Sequence, residues 1–236
     1  MTIPWRKRLF GSFGDPPPAP VASPRHLWRF LLIATAIAVG MLLQARSSSP
    51  TPVTARVPLY FALITVELAL VWFVAIGIRA RGNKLIDLLG RQWHTLRDGI
   101  ADVAFAVATV VLLRWLGPLL FQLLGRWSSQ TGFLLPKSLS ESAAWIAVSL
   151  AAGICEELVY RGYLQRQLWG LTRSLPLALV LQSLIFGFGH IYQGWKPAMI
   201  TGIYGFIFGL VAVWRRSIIP GALAHTIVDV MGGLKL

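Results

Sequence analysis

Apolar blocks of about 18 to 25 residues recur along the chain, separated by short polar and basic stretches. Each block is long enough for one helical crossing of a bilayer, which takes roughly 20 apolar residues. The pattern places seven spans, at about 27–44, 58–78, 101–123, 142–165, 176–194, 197–214 and 217–234. In hydrocarbon a helix satisfies its own backbone groups, so the expected fold is an all-α, polytopic membrane bundle of about seven transmembrane helices. Residues 1–26 are basic and then Pro-rich (DPPPAPVASP), which predicts a flexible cytoplasmic arm ahead of a bundle over 27–236. That arm is long for the start of a signal peptide. The first block is therefore read as a retained helix, with cleavage near Ala45 as the alternative.

Composition strengthens this picture. The 236 residues are 56% hydrophobic and 13% charged, whereas soluble domains carry about 25% charged residues. The formal charge of +13 comes from basic residues set between the apolar blocks. No basic face with interleaved aromatics is present, so these residues are assigned to topology and lipid headgroups, and no nucleic-acid partner is expected. Four Lys and Arg precede the first span (Arg6, Lys7, Arg8, Arg25), and the next three connections hold two, five and two. This alternation predicts the N-terminus inside and the C-terminus outside. The Ala-rich, basic composition points to a bacterial cytoplasmic membrane. Trp28, Trp93, Trp127, Trp145, Trp169, Trp195 and Trp214 fall near span ends, as interfacial anchors do. A single cysteine, Cys155, permits no internal disulfide, and its expected role is packing.

Charge inside a span is costly and marks a cavity or a partner. Glu67, Arg114, Glu156, Glu157, Arg161, His190, His225 and Asp229 fit that description. Glu67 and Arg114, at similar depth on neighbouring antiparallel spans, are read as a structural ion pair. Asp98 and Asp102, at the entrance of span three, are expected to be solvated. In CEELVYRGYLQR, Glu157 and Arg161 stand at i, i+4 with the acid first, the better order for a helical ion pair. Glu156 is turned about 100° away, toward Tyr160. A desolvated carboxylate left without a counter-ion can act as base or acid near neutral pH; the alternative reading places both acids in a buried ion-pair network. Phe186 and His190 share a face in FGFGH, and His225 and Asp229 share one in HTIVD. Gly205 and Gly209 have GxxxG spacing, read as a close-packing face. Two histidines, an aspartate and a free glutamate on three late spans suggest a convergent site.

EELVYR, FGFGH and HTIVD resemble, in order and spacing, the EExxxR, FxxxH and HxxxN/D motifs of the CAAX-protease and bacteriocin-processing (Abi) family, over about residues 140–232. The resemblance implies an intramembrane glutamic endopeptidase acting on a membrane-associated or CAAX-like protein or peptide. Glu156 and His190 would activate water, His225 and Asp229 would stabilise the oxyanion, and Glu157 and Arg161 would support them. No cofactor is implied. By residue type, Glu156, His190, His225 and Asp229 would also serve as a Zn²⁺ shell, but no HExxH pair presets two ligands on one helix. Asp229 departs from the Asn of the eukaryotic proteases, and an ionised carboxylate cannot donate the hydrogen bonds an amide can. Two alternatives come from other classes: a non-catalytic bacteriocin-immunity or membrane adaptor protein, and a small transporter. The span boundaries also raise a depth problem. They set Glu156 and His225 roughly 12–14 Å from the inner face but His190 nearer about 20 Å, at about 1.5 Å per residue.

Overall fold

The computed structural model describes residues 17–47, 56–125 and 132–234. Eight α-helices follow in order: α1 (Pro24–Ser47), α2 (Arg56–Arg79), α3 (Leu96–Leu124), α4 (Leu139–Glu156), α5 (Gln165–Thr172), α6 (Leu175–Gly189), α7 (Trp195–Arg215) and α8 (Ile219–Leu234). A π-helical segment, Glu157–Leu164, joins α4 to α5, so Leu139–Thr172 runs as one helix of 34 residues. That helix, with α1, α2, α3 and α7, makes five elements long and apolar enough to cross a membrane, while α6 and α8 are shorter apolar helices. The described residues form no β-strand, only an isolated bridge between Gly90 and Ser217. The chain is an integral-membrane helical bundle.

Local chemistry sets the helix starts. Thr95 and Asp98 form a capping box on α3, and Ser138 accepts from the Glu141 amide at the start of α4. Ser174 accepts from the Leu177 amide to begin α6. Each cap satisfies donors that the first helical turn leaves open. The outer surface is apolar: Trp72, Val111, Trp115 and Leu184 are all more than 60% exposed, as a lipid-facing surface requires.

One end of the bundle gathers the segment before α1, the α2–α3 connection, the α5–α6 turn and the α7–α8 turn. Arg166 donates to the Asp87 and Leu88 carbonyls at 2.9 and 2.8 Å. Ile218 N donates to Leu89 O, and Arg91 N to Arg216 O. Most of the expected N-terminal arm lies outside the described residues. Its last part is docked, with Val21 and Ala22 buried and Gln167 bonded to both backbone groups of Ala22 at 2.8 and 2.9 Å.

Packing corrects three sequence expectations. α2 packs mainly on α4, while α3 packs on α8 and α7, so consecutive spans two and three are not close neighbours. Accordingly no ion pair joins Glu67 to Arg114 among the described residues; Glu67 lies within side-chain range of Glu156 instead. Asp102 is buried, not solvated: it pairs with Arg215 at 2.6 Å and accepts from Trp93 Nε1 at 2.8 Å. Among the tryptophans, Trp28, Trp195 and Trp214 are exposed but Trp169 is buried in the core; Trp127 lies outside the described residues.

Small residues let α4 and α8 approach. A Cβ on Gly153 would collide with the Thr226 hydroxyl and stand 2.8 Å from the Thr226 amide and 3.0 Å from Ala222 O. The Gly153→Leu variant is expected to lose about 1–3 kcal/mol to overpacking, read as a lower Tm in detergent micelles.

Candidate active site

The site is built where the α4–π junction, the end of α6 and the middle of α8 meet. The widened turn begins at Glu157, immediately after Glu156, and such turns recur at functional positions. Glu157 and Arg161 are fully buried and pair at 2.7 Å, as helical spacing predicts. Arg161 Nη2 also donates to Gly205 O at 3.0 Å. Its guanidinium sits 4.3 Å from the Phe186 ring centroid and 5.3 Å from that of Phe208, favourable cation–π placement. Gly205 is therefore more than a packing face. Its carbonyl also accepts from Gln182 at 3.0 Å, and a Cβ there would reach within 2.7 Å of Phe186.

His225 is the centre of the cluster. Its Nδ1 lies 3.2 Å from Glu157 Oε1, and its Nε2 lies 3.7 Å from both Glu156 Oε2 and Asp229 Oδ2. The ring stacks on Phe208 at 5.1 Å and meets the edge of Phe186 at 6.0 Å. Side-chain exposure rises outward, from 0% at Glu157 through 8% at His225 and 13% at Glu156 to 34% at Asp229. Glu157 is thus sealed in the protein, and Glu156 and Asp229 are the more exposed of the three acids. The contact of His225 with Glu157 was not legible in the sequence, which pairs Glu157 with Arg161.

His190 caps the C-terminus of α6. The span expected over 176–194 ends early, because Gly189 and then Gly194, at φ +107°, let the chain turn. The His190 Nδ1 bonds to Phe186 O at 2.9 Å, and no hydrogen bond engages its Nε2 among the described residues. Phe186 meets the His225 ring edge-on; His190 is one turn beyond Phe186 along α6, as Asp229 is one turn beyond His225 along α8. The site therefore has two tiers: Glu157, Arg161, Phe186 and His225 below, and His190 near Asp229 above, with His190 in electrostatic range of Asp229. Glu156 spans the step. Trp145 Nε1 anchors the upper tier by donating to Asp229 O at 3.0 Å.

Comparison with known proteins finds a likeness over this stretch. Residues 138–231 match the model of the Type II CAAX prenyl endopeptidase Rce1-like family. The likeness covers less than half of the chain. The matched segment begins at the cap of α4 and ends within α8, and so contains every residue of both tiers. The chain is also similar to the sporulation-killing factor biosynthesis protein SkfC of Bacillus subtilis, at 24% identity over 146 residues. That likeness covers 58% of this chain and 28% of the relative, so the chain spans only a minor part of that protein's length. No solved structure matches the chain.

The zinc set considered from the sequence is not preassembled. Among the described residues no three of His, Cys, Asp and Glu converge in an arrangement that could hold a metal ion, because His225 divides its contacts among carboxylates and His190 stands a turn away.

Proposed function

We propose that the chain is an intramembrane endopeptidase that hydrolyses a peptide bond of a membrane-associated protein or peptide, using water activated by Glu156 and His190. The observation that carries this reading is the placement of Glu156, partly open, 3.7 Å from His225 Nε2 while Glu157 is neutralised behind it by Arg161. One carboxylate is consumed by structure and its neighbour is left for chemistry.

Glu156 accepts a proton from a water held between it and His190. The hydroxide oxygen bonds to the scissile carbonyl carbon, and the carbonyl oxygen becomes an oxyanion. Glu157 accepts from His225 Nδ1, so Nε2 is the atom His225 offers to the cavity; protonated on both nitrogens, it donates to the oxyanion. Asp229 orients this imidazole through its 3.7 Å contact and need not donate itself, which answers the substitution of Asp for Asn. The C–N bond then breaks as Glu156 returns its proton to the departing amine. The apolar rings of Phe186 and Phe208 keep bulk water from His225.

The basic end of the bundle, which carries Arg79, Arg81, Arg91, Arg166, Arg215 and Arg216, supports an orientation with the N-terminus cytoplasmic in a bacterial membrane. The likeness to a sporulation-killing factor biosynthesis protein favours a peptide as substrate over a prenylated protein. The test is a comparison of new protein termini in cells carrying the wild type or Glu156→Gln. Termini present only with the wild type are expected. Identical termini, with a protection phenotype that survives Glu156→Gln, would replace the peptidase with the immunity or adaptor role. A His190→Ala variant is expected to lose the same termini while inserting normally.

A further inference from the structure

The family match begins at residue 138, yet one acid from outside it reaches the site. Glu67 sits midway along α2, which packs along α4, and its carboxyl lies within side-chain hydrogen-bonding range of Glu156. Glu67 Oε2 and Glu156 Oε2 are both enclosed and neither has a hydrogen-bond partner among the described residues, so each carboxyl has an oxygen available to the other. The other ionisable groups in range of Glu67 are Asp229 from α8, Cys155 from α4, Tyr160 from the π segment and Tyr192 after α6. No cation is paired with Glu67 among the described residues. A carboxyl kept inside an apolar helix is expensive, and a leucine of similar volume would pack at lower cost, so stability does not account for an acid at this position.

We propose that Glu67 is a positioning residue for Glu156, holding the catalytic carboxyl toward His225 and His190 through a hydrogen bond between the two side chains. A bond between two carboxyl groups needs one proton, donated by one acid and accepted by the other. The held oxygen of Glu156 is then fixed, and its second oxygen is left to face water. This role rests on the peptidase reading of Glu156.

The test uses the full chain in proteoliposomes and a membrane-anchored fluorogenic peptide spanning a terminus mapped in the comparison above. Glu67→Leu is expected to lower kcat about tenfold to a hundredfold, the worth of one hydrogen bond to a charged group, with KM unchanged and Tm equal to or above wild type. Glu67→Gln, whose amide can donate to Glu156, is expected to recover most of the lost rate. A Glu67→Leu enzyme with wild-type kcat would overturn the proposal, and so would Glu67→Gln being as slow as Glu67→Leu. Glu156→Gln is run beside them. Full activity in that variant defeats the peptidase reading itself, whatever Glu67 does.

Discussion

Glu156→Gln is expected to abolish peptide cleavage while leaving the bundle intact. Glutamine keeps the size and planarity of glutamate, so the packing of α4 against α8 should not change. What it loses is the ability to take a proton from water. General-base catalysis contributes about 10²–10⁴-fold, and the proposed route also uses this residue to protonate the leaving amine, so a loss at the upper end of that range is expected. Stability should move the other way. Glu156 Oε2 is enclosed without a hydrogen bond, and replacing a buried charge by a neutral amide removes a desolvation cost. A cleavage assay beside a thermal melt in the same detergent checks both parts. A variant that melts early and is inactive would show a structural role; one that melts normally and cleaves normally would remove Glu156 from the chemistry.

Arg161→Met is expected to damage the fold itself. Arg161 is fully buried, and it serves Glu157, Gly205 O and the faces of Phe186 and Phe208 at once. Methionine fills much of the space but strands Glu157, which has no exposure and retains only His225. Breaking a buried ion pair on one side costs about 3–5 kcal/mol. Activity should fall with stability, because His225 takes its orientation from Glu157. The double variant Arg161→Met, Glu157→Gln separates the two effects. With no stranded charge it should recover much of the lost Tm, yet remain slow, since His225 has lost its ionic partner. If the single variant melts like the wild type, the pair does not hold the site together.

The local parts of this site could be read directly. Glu157 and Arg161, Phe186 and His190, and His225 and Asp229 are each one helical turn apart, and a helix of 3.6 residues per turn brings such pairs onto one face wherever it packs. The differences all involve helices meeting one another. Sequence alone pairs Glu67 with Arg114, because consecutive spans are expected to be neighbours, and leaves Asp102 in solvent, because it lies near a span end. Both were decided by α2 leaning on α4 and by α7 returning Arg215 beside α3. How α6 is set against α8 shows only in the contact between the Phe186 and His225 rings.

Hydrophobic block length alone was enough to establish a membrane bundle, its seven helices and the run of polar residues on the last of them. It had no means of saying which helix touches which. In water, an apolar stripe reveals the buried face of a helix; in lipid, the outward and inward faces are both apolar, so α2 and α3 carry no such mark. Only side-chain fit, through Gly153 against Thr226 and Gly205 against Phe186 and Arg161, decided the order of the helices, and with it the meeting of Glu67, Glu156, His225 and Asp229.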